Sequence, residues 1–144
     1  MMGYPMALNI RRKLPKSSVL YIYDLSKSAL ERFVEESGSE GEVIVATSAK
    51  EVVDNAVISP SEYFAKTKQD TIITMLPEGS HVKSLFLSSG TGCLATASNS
   101  RKLFLDSSTI DAAASLEVGK AIAKSGVGDF ADCPVSVSHR VNPI

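Results

Sequence analysis

The residues of this chain best suited to chemistry stand just after short apolar runs. Asp24 closes "VLYIYD", Leu76-Pro77 closes "TIITML", and Ser107-Ser108-Thr109 follows "KLFLD". If each run is a strand of an open parallel sheet, these residues share its carboxyl edge, where such sheets bind ligands. Asp24 lies 21 residues after Gly3, close to the spacing at which an acid accepts hydrogen bonds from an adenosine ribose after a glycine-rich pyrophosphate turn. Each residue alone also has a plainer reading. A strand-terminal Asp serves turns and caps, Ser108 or Thr109 can N-cap the next helix, and Leu-Pro can simply stop a strand.

The elements that must position these residues follow from patterning. "PMALNIRRKL" sets Met6, Ala7, Ile10 and Leu14 on one side, opens at Pro5, and ends in Arg11, Arg12 and Lys13, cations that suit a helix C-terminus. Val19–Asp24 reads as a buried strand, and a helix follows in which Ser28 and Glu31 have capping-box spacing and Leu30, Phe33 and Val34 form an apolar stripe up to Ser37-Gly38. Glu42–Ala46 is the next strand, and Ser48 with Glu51 caps "SAKEVVDNA". Thr71–Leu76 is a third strand. "GSHVKSLFL" is helical, Lys102–Asp106 a strand, "IDAAASLEVGKAIAKSG" a helix ended by Gly126, and "GDFADCP" a last strand. Strands alternating with helices specify right-handed crossovers and a doubly wound, mainly parallel α/β sheet between helical layers. Residues 57–69, "VISPSEYFAKTKQ", exceed the few residues such a connection needs and read as an insertion. The chain also opens with a helix where such a sheet should open with a strand.

Composition excludes several classes. A net charge of -1 with scattered Lys and Arg offers no stripe for nucleic acid. Cys93 and Cys133 are 40 positions apart with no His at ligand spacing, so no metal site is expected and both read as reduced, partly buried thiols. No run of 18 apolar residues exists to span a membrane. The first 23 residues hold no acid and several cations, a composition shared with mitochondrial presequences, but the helix reading fits the apolar face that continues into a strand.

The blocks "MGYPMALN", "YDLSKSALERF", "SAKEVVDNA", "ITMLPEGSHVKS", "LFLDSSTID" and "DCPVS" occur in the order found in the 3-hydroxyisobutyrate dehydrogenases, which the chain resembles from about residue 2 to 136, the insertion excepted. That resemblance implies a Rossmann-type, three-layer domain, NAD as cofactor, and oxidation of 3-hydroxyisobutyrate to methylmalonate semialdehyde in valine breakdown. It implies that Gly3 is the third glycine of the pyrophosphate loop, allowing close helix packing, and that Asp24 holds the ribose and disfavours NADP. By the same resemblance Leu76 and Pro77 line the nicotinamide side, His81 and Thr109 stand near the cofactor, and Ser136 holds the substrate carboxylate.

The chain departs from the family pattern at both ends. Of Gly-Leu-Gly-x-Met-Gly only Gly3 has a counterpart, and after Ser136 the expected Gly-Gly is Val137-Ser138. The resemblance therefore implies an incomplete NAD-binding domain at 1–136 that lacks its first, central strand, a non-family tail at 137–144, and no catalytic residue, since the family's lysine belongs to a later helical domain. Such a fragment is expected to be inactive alone and to self-associate through unpaired sheet edges. A non-catalytic nucleotide-binding or interaction module is the alternative. Localisation follows the family to the mitochondrion, or is cytoplasmic if the protein is made as this chain. Val137-Ser138 can be encoded by GTGAGT, a favourable 5' splice site, so the tail, the insertion and the start at Met1 are expected to reflect how the reading frame was drawn.

Overall fold

The computed structural model describes residues 2–56, 70–97 and 100–135. The 57–69 insertion, Ser136 and the 137–144 tail lie outside them. Helix α1 (Gly3–Lys13) leads to β1 (Leu20–Ile22), α2 (Lys27–Ser37), β2 (Val43–Val45) and α3 (Ala49–Asn55). Then come β3 (Asp70–Thr74), α4 (Gly79–Leu87), a 3-10 turn at Cys93–Ala95, β4 (Lys102–Asp106), α5 (Ala112–Ser125) and β5 (Gly128–Asp132). The fold is α/β, and every strand pair is parallel.

Instead of one sheet there are two, β1-β2 and β3-β4-β5. The interruption can be followed in the backbone. Leu20 donates to Glu42 and Ile22 accepts from Ala46, so these residues face β2 and Tyr21 between them faces away. Thr74 accepts from Ser107 and faces β4, so Ile73 faces away. Among the described residues, β1 and β3 therefore each present one edge with no strand beside it.

A common core joins the two sheets. Val82 and Phe86 on α4, and Val118 and Ile122 on α5, repeat at i and i+4, which sets each pair on one helix face. They meet Ala49 and Val53 of α3, Ile72 of β3 and Phe104 of β4, with Tyr23 and Leu76 packed against the same cluster. Phe86 lies edge-on to Phe104 and Phe130, with ring centroids 5.5 and 6.2 Å apart. Burial alternates along β3, so Asp70, Ile72 and Thr74 are covered while Ile73 keeps 43% exposure. At the amino ends of β3 and β4 the buried ammonium of Lys102 donates to Asp70 (2.6 Å), Ser100 (2.7 Å) and the carbonyl of Ala56 (2.5 Å). Those are all the donors it has, so the charge is buried with its partners satisfied.

Several local expectations are corrected by the structure. Helix α2 is capped by Ser26, whose hydroxyl accepts from Ala29 N–H, and not by Ser28 with Glu31. Helix α5 is capped by Asp111, and neither Ser108 nor Thr109 takes that role. The Ser48 cap of α3 holds, accepting from Glu51 N–H at 3.1 Å, while the Glu51 carboxylate reaches back to Thr47. Gly126 ends α5 in the left-handed conformation, as read from the sequence. The two cysteines are unlike each other, Cys93 being buried and Cys133 exposed.

Arg11 is the largest departure. Read from the sequence only as one of three cations suiting the end of a helix, it is fully buried. Its two terminal nitrogens donate to the carbonyls of Ser18 (2.6 Å), Pro15 (2.6 Å), Leu14 (3.3 Å) and Glu42 (3.4 Å). It thereby ties the end of α1 to the starts of β1 and β2, and Nε has no hydrogen-bond partner among the described residues. Gly41 makes room: its φ is +129°, and a β-carbon there would lie 3.0 Å from the guanidinium and 2.8 Å from the Lys16 carbonyl.

Candidate functional site

The site is assembled from the segments that leave the carboxyl ends of the strands. After β3 the chain passes through Met75 and Leu76 into Pro77. A residue before proline is disfavoured in the helical region, and α4 begins two residues after Pro77, at Gly79. After β4 comes Asp106-Ser107-Ser108-Thr109, and after β5 comes Cys133-Pro134-Val135.

These three segments are stitched together by hydrogen bonds that no single segment contains. The Leu76 N–H donates to the Ser108 hydroxyl at 2.9 Å. That hydroxyl donates to Asp106 Oδ1 at 2.5 Å, and the same oxygen accepts from Ser108 N–H at 3.1 Å and from the Thr74 hydroxyl at 2.8 Å. Asp106 and Ser108 are fully buried, and Asp106 Oδ2 has no hydrogen-bond partner among the described residues. On the other flank, Cys133 N–H donates to the Asp106 carbonyl at 2.8 Å and Val135 N–H to the Ser107 carbonyl at 3.3 Å. The Thr109 hydroxyl donates to the Val135 carbonyl at 3.1 Å.

Of the residues expected from the sequence, Leu76 and Thr109 are thus brought into one network centred on the end of β4. Gly3 belongs to the same edge, because a β-carbon built on it would lie 3.5 Å from the Met75 carbonyl. That is ordinary van der Waals distance, so the contact with Met75 does not itself require glycine. The first turn of α1 has no side-chain cap; Pro5 has no N–H and the Met6 N–H donates to the Met2 carbonyl, so the N–H groups of Gly3 and Tyr4 are those that an anion could meet there. Asp24 stands on the other sheet, just past β1. It is exposed, and its Oδ1 accepts from the N–H of Ser26 at 2.8 Å, the cap of α2. Tyr23 beside it packs on the core that also receives Leu76. His81 is exposed in the first turn of α4. Ser136 lies outside the described residues.

Asp106 was missed as a site residue. A signal was present, since an Asp followed two residues later by a Ser is a common way for a carboxylate to hold the next backbone N–H. Read locally, however, the same residue only ends a strand. No cluster of His, Cys, Asp and Glu suited to a metal occurs among the described residues. What the arrangement offers an elongated anionic ligand is a helix N-terminus beside Met75, an exposed carboxylate past β1, and a loop after β3 held by Ser108.

Comparison with known proteins gives the family. A family model described as the NAD binding domain of 6-phosphogluconate dehydrogenase matches residues 1–140. The chain is 34% identical over 135 residues to a probable mitochondrial 3-hydroxyisobutyrate dehydrogenase of Dictyostelium discoideum, covering 94% of this chain and 35% of the relative. It is 33% identical to the mitochondrial 3-hydroxyisobutyrate dehydrogenase of Homo sapiens, covering 94% of this chain and 33% of that protein. Among solved structures, 3-hydroxyisobutyrate dehydrogenase of Mycobacterium tuberculosis superposes with a TM-score of 0.64 at 32% identity, over 94% of this chain and 38% of the other. The Salmonella typhimurium 3-hydroxyisobutyrate dehydrogenase structure gives 0.62 at 20% identity over 95% of this chain and 39% of the other, which speaks for the fold alone. The chain spans about a third of the length of the curated relatives it matches.

Proposed function

This chain belongs to the family of NAD-binding domains named for 6-phosphogluconate dehydrogenase, and from that premise we propose that it is the cofactor-binding part of a mitochondrial 3-hydroxyisobutyrate dehydrogenase. NAD is the family's cofactor. The reaction is oxidation of a 3-hydroxy acid, in which bound NAD supplies the hydride acceptor. Residues 1–136 form the cofactor domain, residues 57–69 are an insertion in it, and residues 137–144 stand outside it.

One observation carries the reading. The N-terminus of α1, without a side-chain cap, begins at Gly3 against Met75, just past the carboxyl end of β3, while Asp24 lies two residues past β1, the strand that α1 leads into. A dinucleotide laid across that edge meets helix N–H groups with its pyrophosphate and a carboxylate with its adenosine ribose. In this reading Asp24 accepts from the ribose hydroxyls and repels a 2'-phosphate. Leu76 and Pro77 line the nicotinamide side through their backbone, and His81 and Thr109 stand beside the cofactor. Ser136 binds the substrate carboxylate. These residues bind and orient, and by the resemblance the proton-transferring lysine is supplied from outside this sequence.

Calorimetric titration of the 144-residue chain with NAD and NADP tests this. NAD is expected to bind more tightly, and Asp24→Ala should weaken it by roughly 1.5–3 kcal/mol per lost charge-assisted hydrogen bond while narrowing the difference between the two cofactors. Equal affinities in the unaltered chain would remove Asp24 from its role.

The edges of β1 and β3 that have no strand beside them among the described residues favour a second reading, a module that binds nucleotide without turnover and pairs those edges with a partner strand. NAD binding without 3-hydroxyisobutyrate oxidation, together with a mass above that of one chain in solution, would support it.

A further inference from the structure

We propose that Asp106 and Ser108 are positioning residues that set the Leu76-Pro77 loop, and so tune how the site holds the nicotinamide half of its cofactor. The proposal rests on the reading of Leu76-Pro77 as the nicotinamide-side loop. Its structural half does not depend on any ligand.

Leu76 lies past the end of β3, so its N–H is not served by the β3–β4 ladder. Pro77 has no N–H and disfavours the helical region for Leu76 but fixes nothing about where the loop sits. The Ser108 hydroxyl supplies the missing partner at 2.9 Å. Its single hydrogen is committed to Asp106 Oδ1 at 2.5 Å, so a lone pair is left facing Leu76. A serine hydroxyl donating to a carboxylate in a buried setting becomes a better acceptor, since each bond of the chain polarises the next. Among the described residues all three partners of the Asp106 side chain meet at Oδ1, two of them from Ser108, and Oδ2 has none. A buried carboxylate that leaves one oxygen unpaired is costly, and its placement here serves the loop more than the stability of the sheet.

Three residues of this loop, Asp106, Ser107 and Thr109, hold the segment after β5. The Asp106 and Ser107 carbonyls accept from Cys133 and Val135, and Thr109 donates to the Val135 carbonyl. The end of β4 is therefore a hub that spaces the loop after β3 from the segment leading to Ser136. Asp24 belongs to another sheet and takes no part in this network. Loosening the hub should disturb the nicotinamide end of a bound dinucleotide and spare its adenosine end.

The experiment compares the unaltered 144-residue chain with Ser108→Ala, Asp106→Asn and a control, Ser37→Ala, which removes a buried hydroxyl bonded within α2 to Phe33. Amide hydrogen exchange is read at Leu76, and affinities are measured for NAD and for ADP-ribose, which lacks the nicotinamide. In Ser108→Ala the Leu76 amide should exchange about tenfold faster relative to Ile72 and Phe104, and NAD should bind about tenfold more weakly, the effect of one net hydrogen bond. ADP-ribose should change less than about twofold. Asp106→Asn, which keeps an acceptor, should act in the same direction and more weakly, and Ser37→Ala should move neither ratio. Unchanged relative exchange at Leu76 in Ser108→Ala overturns the structural half. Equal weakening of NAD and ADP-ribose overturns the link to the nicotinamide. Binding of neither ligand by the unaltered chain overturns that link along with the cofactor reading, while the exchange measurement still decides whether the hub sets the loop.

Discussion

A β-carbon placed on Gly128 would lie 2.1 Å from the carbonyl oxygen of Lys102, the residue directly across the β4–β5 ladder. Backbone occupies that space, so no rotamer can relieve the clash. Gly128→Ala should therefore cost about 3 kcal/mol, the upper end of what overpacking does, and should release β5 from its register. A urea midpoint unchanged from the unaltered chain would show that the strand tolerates the side chain.

Arg11 should matter more than any exposed cation. Arg11→Met leaves the Ser18 and Glu42 carbonyls without their guanidinium partner and should destabilise by about 3 kcal/mol. Arg11→Lys should rescue little of it, because an ammonium cannot spread donors over four carbonyls as a planar fork does. Chemical denaturation of the two variants, with Arg12→Met as the exposed comparison, gives the order directly.

Asp54 supplies a pH test. Lys50 first, then the Thr96 hydroxyl, hold its carboxyl below the usual carboxylate range, against a smaller opposing effect of burial. A pKa lowered in the folded state means stability that is complete above the unfolded carboxylate value, near pH 4, and drains as pH falls through the folded value. Asp54→Asn should therefore cost about 1 kcal/mol at pH 7, a figure reduced for partial exposure of the pair, and should match the unaltered chain near pH 2. A gap independent of pH would assign the effect to something other than this charge.

The two thiols should separate cleanly. Burial pushes Cys93 up to about 12, so no useful thiolate forms near neutral pH, whereas Cys133 is exposed. A thiol reagent at pH 8 should modify one cysteine in the folded chain and two in denaturant. Two rapid modifications without denaturant would mean that the core around Cys93 opens readily.

Much of the fold was legible because its causes are local. Apolar runs of strand length, caps such as Ser48, and the Gly126 stop act over a few residues, so the alternation of strands and helices could be read directly, and with it the parallel α/β class. From that order alone, Asp24, Leu76-Pro77 and Thr109 fall at strand ends. What no local pattern decides is which of several competent groups finds a partner. Ser26 and Ser28 can both cap α2, and Ser108 and Asp111 can both cap α5. Ser108 is lost to that role because a carboxylate on its own loop and an N–H 32 residues away claim its hydroxyl. Arg11 could be read only as a helix-terminal cation because the carbonyl of Glu42, one of its partners, lies 31 residues distant. Gly128 looked like an ordinary glycine opening a strand until Lys102 was set across from it. Helix, strand and turn follow from neighbouring residues. The destinations of buried polar groups depend on which distant backbone folding brings within reach, since a buried donor or acceptor must be satisfied wherever a partner is found.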